Sequence, residues 1–123
     1  MPRVILFDVN ETLLDLRALN PQFEQIFGDT NATSQWFSQL LRSALVATIT
    51  GAYHDFEKLS GDALDMVAMR RGVALATNDR SRVLDGMRRL PPHPEVTECL
   101  NTLRSAGLRL ATLTNSPPSV LKD

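Results

Sequence analysis

Two short apolar segments stand near opposite ends of this chain, and the sequence between them has the pattern of helices. Residues 4–7 read VILF, a continuous apolar run that is β-branched at its start, and residues 108–114 read LRLATLT. Such a run is typical of a strand buried on both faces in a parallel sheet that helices cover. Parallel neighbours need a crossover connection, which the intervening residues would supply. The order therefore predicts an α/β fold with a large helical insert after the first strand.

The insert shows four helical stretches, and a fifth precedes the second strand. Glycines or polar capping residues delimit them. The stretches are residues 23–27 before Gly28, Thr33 or Ser34 to Gly51, Asp55 to Gly72, Asn78 to Arg89, and Val96 to Gly107. The proline-rich residues 91–94 (PPHP) separate the insert from the fifth helix. We therefore predict a partial α/β core formed by residues 1–14 and 91–123, and a helical insert formed by residues 15–90.

Length and charge restrict the function classes. A chain of 123 residues can form one modest domain but not two full ones. Its net charge of −1 gives no electrostatic reason to bind nucleic acid or an anionic membrane. No apolar stretch is long enough for a signal or a span, and the single Cys99 cannot form an internal disulfide. We therefore expect a cytoplasmic protein with neither nucleic acid nor membrane as a partner.

Polar residues follow both predicted strands. Asp8 comes directly after the first, and Thr114 and Asn115 end the second. Ligands of open α/β sheets bind beyond the carboxyl ends of the strands, so these side chains would face one crevice if the strands are neighbours. A carboxylate opposite a hydroxyl and an amide suits covalent catalysis on an anionic substrate. Alternatively, Asp8 caps the following turn and Thr114 merely ends a strand, and position alone favours neither interpretation.

Two local motifs resemble those of a known family. FDVNETL at residues 7–13 and LTN at residues 113–115 resemble the first two motifs of the haloacid dehalogenase superfamily. The wider pattern, FDVNETLLDL, a helical insert, then PPHPEV and LRSAGLRLATLTNSPP, is most similar to its (S)-2-haloacid dehalogenase branch. The resemblance implies a Rossmann-like parallel-sheet core, incomplete in this chain, with residues 15–90 as a helical cap over the crevice. It also implies hydrolysis of short 2-haloacids without a metal or other cofactor.

The resemblance assigns the catalytic role to Asp8. Its carboxylate would attack C2 of a small 2-haloacid from the side opposite the halogen, expel halide and form an aspartyl ester. Water would then hydrolyse that ester at the carbonyl carbon of Asp8. The hydroxy acid released in this way would have inverted configuration at C2.

The other site residues follow from the same resemblance. Thr114 and Asn115, with backbone N–H groups near residues 9 and 10, would bind the substrate carboxylate. Asn10 would line the substrate pocket, and Thr12 would support the first motif. In the cap, Leu41 and Phe56 would hold the alkyl group and exclude water. Ordinary packing inside the cap is an equally good interpretation of those two residues.

Asn10 also separates two branches of the superfamily. Phosphatases of this superfamily carry a second aspartate at that position, where it protonates the leaving alkoxide, and they use Mg²⁺. An asparagine side chain cannot act as that acid, whereas a departing halide needs no proton. A phosphatase-like activity is therefore the disfavoured alternative.

The sequence departs from the branch pattern at three places. An aromatic residue is usual where Asn10 stands, and a halide-binding arginine is expected where Phe37 follows Trp36. The family's later lysine and final acidic motif have no counterpart, because Lys122 comes too soon after the second motif. We therefore expect the N-terminal portion of a longer enzyme.

The third hypothesis belongs to another class of function. The chain would then be a non-catalytic fragment whose exposed strand edges self-associate, and a homodimer is one expected assembly. Metal binding is not expected under the dehalogenase hypothesis or under this third one, and only the disfavoured phosphatase-like alternative would use Mg²⁺. Neither His54 nor His93 has a cysteine, aspartate or second histidine at ligand spacing.

Overall fold

A computed structural model describes residues 3–114 of the chain. Eight elements follow one another along these residues. They are strand β1 (Val4–Phe7), a 3-10 helix (Leu16–Leu19), α1 (Asn20–Phe27), α2 (Asn31–Thr50), α3 (Phe56–Arg71), α4 (Asp79–Arg88), α5 (Val96–Ser105) and strand β2 (Arg109–Thr112). All the elements between β1 and α5 are helices, and they form the long insert.

The two strands pair in parallel. Val4 lies opposite Arg109 and Phe7 lies opposite Thr112, and the Leu113 N–H donates to the Phe7 carbonyl at 2.8 Å. This confirms the predicted α/β class with a parallel sheet and a helical insert after the first strand. The sequence also predicted that β1 is buried on both faces, and this prediction is wrong for the part of the chain that the structure describes. Within residues 3–114, Val4 and Leu6 remain 53% and 63% exposed, because β2 pairs with one edge of β1 and α5 packs on β2.

The insert builds its own hydrophobic core. Helices α1 to α4 and the 3-10 helix contribute its fully buried large side chains, which are Leu19, Phe23, Trp36, Leu40, Leu64, Val67 and Val83. Burial of one such side chain contributes about 1.5–3 kcal/mol to folding. The Trp36 indole N–H donates to the Ser60 carbonyl at 3.0 Å, which ties α2 to α3 and satisfies the buried donor.

Helix ends follow the predicted glycines more closely than the predicted caps. Gly51 and Gly72 end α2 and α3 with φ values of +70° and +66°, and the Asp55 carboxylate caps α3 by accepting the Lys58 N–H at 2.7 Å. The prediction that Thr33 or Ser34 caps α2 was wrong, since α2 begins at Asn31. The carboxylate of Asp29 accepts the Asn31 N–H at 2.9 Å, which satisfies a free donor earlier in the chain.

Two chain segments connect the sheet to the helices, and they lie side by side. The Asp15 N–H donates to the Pro91 carbonyl at 2.7 Å, and the His93 N–H donates to the Leu13 carbonyl at 2.9 Å. We call residues 13–15 with residues 91–93 the paired connection. The predicted boundaries of the insert, at residues 15 and 90, fall beside this connection. Among residues 3–114, no helix combines the length and the apolar character needed to cross a membrane.

Candidate active site

Asp8 and Thr114 lie at the same edge of the sheet. Asp8 directly follows β1, and Thr114 follows β2 by two residues. The register pairs Phe7 with Thr112, and the Leu113 N–H donates to the Phe7 carbonyl. The two chain segments therefore leave the sheet at the same end. Asp8 is exposed and Thr114 is half-buried. Asn115, which the sequence places beside them, lies outside the described residues.

The residues after Asp8 fold back into a tight turn. The N–H groups of Leu13 and Leu14 both donate to the Val9 carbonyl, at 2.9 and 3.1 Å. Thr12 is thereby brought next to Asp8, and its hydroxyl donates to Asp8 Oδ2 at 2.8 Å. This hydrogen bond restrains the carboxylate and leaves Oδ1 as the oxygen that Thr12 does not engage.

Asn10 and Glu11 occupy the bend of this turn. Asn10 is buried, with 9% of its surface exposed, although it lies two residues from an exposed carboxylate. Glu11 has φ +70°, a conformation that favours glycine. The chain thus carries a neutral amide, which has no acidic proton, two residues after the candidate nucleophile.

A cleft of about 320 Å³ joins this turn to the insert. It lies between the turn, the 3-10 helix and the first half of α2. Its lining residues are Glu11, Leu16, Arg17, Asn20, Thr30, Asn31, Thr33, Ser34, Phe37 and Ser38. Phe37 is half-buried, and its ring centroid lies 6.2 Å from that of Trp36. The residue at the expected halide-binding position thus shares a cleft with the turn that follows Asp8.

Leu41 and Phe56 lie elsewhere on the insert. Leu41 is 48% exposed on α2, whereas Phe56 is 8% exposed and belongs to the hydrophobic core. Phe56 also lines a second cleft, where α2 meets α3, together with Tyr53 and His54. Neither Leu41 nor Phe56 lines the cleft shared by Glu11 and Phe37. Their role in holding an alkyl group stays a prediction.

Charged groups surround the paired connection. Hydrogen bonds from the Arg17 side chain and backbone N–H lower the pKa of Asp15 from 3.8 to about 2, and His93 adds a smaller electrostatic effect in the same direction. His93 Nδ1 lies 3.9 Å from Asp15 Oδ2. Among residues 3–114 there is no group of three histidine, cysteine, aspartate or glutamate side chains that could hold a metal ion.

The contacts of His93 were missed by sequence reasoning. Its Nε2–H donates to the Glu11 carbonyl at 2.9 Å, across a sequence separation of 82 residues. Spacing of ligand residues was the wrong signal to search for, because this histidine bonds to backbone. The flanking Pro92 and Pro94 favour an extended backbone at His93, but they do not indicate which carbonyl its ring contacts.

The comparisons with known proteins agree with one another. The family model described as haloacid dehalogenase-like hydrolase matches residues 2–123. (S)-2-haloacid dehalogenase 1 of Pseudomonas sp. (strain CBS-3) is 29% identical over 122 residues, which cover 98% of this chain and 54% of that protein. Haloacetate dehalogenase H-2 of Moraxella sp. (strain B) is 27% identical, with coverage of 97% and 54%.

The fold is also that of a solved dehalogenase. L-2-haloacid dehalogenase from Xanthobacter autotrophicus superposes with a TM-score of 0.87 at 26% identity, covering 99% of this chain and 50% of that one. This likeness confirms the predicted incomplete Rossmann-like α/β fold. The chain spans about half the length of the relatives that it matches.

Proposed function

Because the chain belongs to the haloacid dehalogenase-like hydrolase family, we propose that it is a hydrolase that removes halide from short 2-haloacids through a covalent aspartyl ester. The relatives named (S)-2-haloacid dehalogenase and haloacetate dehalogenase support this substrate class. Asp8 is the proposed nucleophile. The observation that carries the proposal is the position of Asp8 at the carboxyl end of β1, with Thr12 hydrogen-bonded to one oxygen and the end of β2 beside it.

In the first proposed step, Asp8 Oδ1 attacks C2 of the substrate. The new C–O bond forms as the carbon–halogen bond breaks, and the halide leaves with the bonding electron pair. Thr12 holds Oδ2, so the attacking oxygen keeps a fixed direction. Thr114, Asn115 and the backbone N–H groups near residues 9 and 10 would hold the substrate carboxylate. Leu41 and Phe56 would contact its alkyl group.

In the second proposed step, water attacks the carbonyl carbon of the Asp8 ester. The ester C–O bond to the carboxyl carbon breaks, the 2-hydroxy acid leaves with inverted configuration, and the Asp8 carboxylate is restored. The departing alkoxide oxygen takes one proton from the attacking water, and the other proton of that water passes to solvent. The first step, which expels halide, needs no acid. The buried Asn10, in the position where a phosphatase would have its acid, is consistent with this chemistry.

The test is chloride release from each enantiomer of 2-chloropropionate, measured with an ion-selective electrode. The parent chain should release chloride from the (S) enantiomer, and Asp8→Asn should abolish the release because an amide cannot form the ester. Asp62→Asn is the matched control, since Asp62 lies on the surface of α3 in an ion pair with Lys58. Chloride release that persists in Asp8→Asn, or is absent from the parent chain, would contradict the proposal.

Isotope labelling tests the ester directly. After turnover in water enriched in heavy oxygen, mass spectrometry should find the label in the Asp8 carboxylate, because water attacks the ester there. Phosphate release from an aryl phosphate in the presence of Mg²⁺ is the readout for the phosphatase alternative. Such release would contradict the argument from Asn10.

We also propose the setting in which this chemistry takes place. The insert, residues 15–90, would act as a cap that closes over Asp8, since the cleft lined by Glu11 and Phe37 lies between the two parts. The exposed and unpaired Cys99 fits a reducing compartment, so we propose the cytoplasm. The proposal includes no nucleic-acid partner. It includes a homodimer formed through exposed apolar side chains of α2 such as Leu45 and Ile49.

A further inference from the structure

Glu11 has an unusual backbone conformation. Of residues 3–114, it is the one non-glycine residue with a positive φ, at +70°. Side chains with a Cβ rarely adopt this region because Cβ crowds the neighbouring carbonyl oxygen. A residue persists there only when its surroundings fix it. The turn that follows Asp8 therefore needs contacts that hold Glu11 in place.

His93 supplies two of those contacts from a distant part of the sequence. Its Nε2–H donates to the Glu11 carbonyl at 2.9 Å, and its backbone N–H donates to the Leu13 carbonyl at 2.9 Å. A carbonyl oxygen can only accept, so Nε2 must carry a hydrogen. The side chain of His93 is 17% exposed, which shields the bond from competing water.

These two hydrogen bonds bracket Thr12. Glu11 and Leu13 are its neighbours in the chain, and His93 holds a carbonyl on each side of it. The hydroxyl of Thr12 in turn donates to Asp8 Oδ2 at 2.8 Å. The backbone of residues 11–13 thus links the hydrogen bonds of His93 to the hydrogen bond that Thr12 makes with the carboxylate of Asp8.

We propose that His93 is a positioning residue for Asp8. It holds the turn at residues 11–13 so that Thr12 can restrain the carboxylate in its attacking orientation. The inference rests on the proposed function, because the role it assigns is to orient the proposed nucleophile. It adds a residue that touches neither substrate nor leaving group.

The arrangement does not depend on the charge of His93. Nε2–H is present in the protonated ring and in one neutral tautomer, and the bond to Glu11 selects that tautomer. The other ring nitrogen lies 3.9 Å from Asp15 Oδ2, and Arg17 binds both oxygens of Asp15. Arg17 therefore fixes the carboxylate that faces the second side of the imidazole.

Two substitutions at one position test the inference. His93→Phe keeps a ring of similar size but removes the donor, whereas His93→Gln places an amide N–H near the position of Nε2. We expect His93→Phe to lower kcat for chloride release by about tenfold, with KM changed by less than about twofold, because orientation and not substrate binding is lost. His93→Gln should recover most of kcat. His54→Phe, at the exposed histidine between α2 and α3, is the control and should leave kcat unchanged.

A double-mutant cycle separates positioning from general stability. In a Thr12→Val background the link to Asp8 is already broken, so His93→Phe should lower kcat no further. If His93 only stabilised the fold, the free-energy equivalents of the kcat losses in Thr12→Val and His93→Phe would add in the double variant. Should His93→Phe fail to fold, His93→Asn should give the same pattern, because its amide is too short to reach the Glu11 carbonyl.

Hydrogen exchange gives a readout that does not require turnover. The amides of Leu13 and Leu14, which donate to the Val9 carbonyl, should exchange faster in His93→Phe than in the parent and in His93→Gln. Parental exchange rates and parental kcat in His93→Phe would each overturn the inference. Faster exchange in His93→Phe, together with no chloride release by the parent chain, would count against the proposed function alone.

Discussion

Phe37 determines how a departing halide would be received. Its half-buried ring lines the cleft next to the turn after Asp8, at the position where the resemblance leads us to expect an arginine. The edge of a phenyl ring is weakly positive but carries no net charge and no N–H donor. A leaving chloride would therefore gain less stabilisation from Phe37 than from a guanidinium.

We predict that Phe37→Arg raises kcat/KM for chloride release from (S)-2-chloropropionate by about tenfold. One charge-assisted hydrogen bond is worth about 1.5–3 kcal/mol, and part of it is lost to desolvation of the guanidinium. Glu11 lines the same cleft and would compete for the new cation, so the gain should grow in Phe37→Arg combined with Glu11→Gln. Phe37→Leu is the uncharged control, and an equal gain in that variant would refute the explanation from charge.

A contact within the first motif is accessible to sequence reasoning, whereas the long-range contact of His93 is not. Asp8 and Thr12 stand four positions apart, and their hydrogen bond forms within one local turn. The contact between Glu11 and His93 spans 82 positions and depends on how two chain segments cross. Such a contact leaves no local signal, because a backbone carbonyl accepts from any donor that the fold brings to it.

At the scale of elements, glycines and short apolar runs predicted more than capping residues did. Gly51 and Gly72 adopt left-handed conformations that end their helices, and this requirement is local. The start of α2 was misplaced because Thr33 and Ser34 are both capable caps, and only the fold shows that the helix already begins at Asn31, whose N–H donates to Asp29. The exposure of β1 depends on which elements cover the sheet, which a four-residue run cannot reveal.

The paired connection predicts how stability depends on pH. Asp15 has a pKa of about 2 in the folded chain, below its ordinary 3.8, because Arg17 donates to it from side chain and backbone. A lowered folded-state pKa contributes stability above pH 3.8, and this contribution is lost as the pH falls towards 2. We therefore expect Asp15→Asn to be less stable than the parent near pH 6, with the difference disappearing near pH 2.

Urea unfolding followed by circular dichroism between pH 2 and pH 6 measures this difference. Arg17→Gln is the matched variant, since it removes the main cause of the lowered pKa from the other side of the pair. In Arg17→Gln the free energy of unfolding should change less with pH over the same range than it does in the parent. A stability difference between parent and Asp15→Asn that stays constant across this range would contradict the assignment.

At the scale of the whole molecule, two surfaces with exposed apolar side chains among the described residues are candidates for association. One consists of Val4 and Leu6 on β1, and the other consists of Leu41, Leu45 and Ile49 on α2, with exposures of 48%, 60% and 74%. Residues four positions apart share one face of a helix, so the α2 residues form a continuous stripe. Either surface could support association, and they lie on different parts of the fold.

The α2 stripe is suited to a second copy of the same helix. If two copies pack antiparallel about Leu45, Leu41 of one meets Ile49 of the other, and the stripe is complementary to itself. Packing of Leu41 against the second copy is then the alternative to its proposed contact with the alkyl group of the substrate. Arg42 is the one charged residue between positions 31 and 50. In this arrangement it faces Thr48 of the other copy and not Arg42, so no pair of like charges is buried.

We therefore predict that Leu45→Glu converts a dimer to a monomer, measured by sedimentation velocity over a range of concentrations. A carboxylate at the two-fold axis would meet its own copy in an apolar contact, where both desolvation and repulsion oppose association. Met69→Glu, at a position on α3 that is 83% exposed, introduces the same charge outside the stripe and should leave the dimer intact. Leu6→Glu tests the alternative of association through the strands. If Leu6→Glu is a monomer and Leu45→Glu is still a dimer, the prediction is contradicted. The two copies then associate through the exposed face of β1 and not through α2.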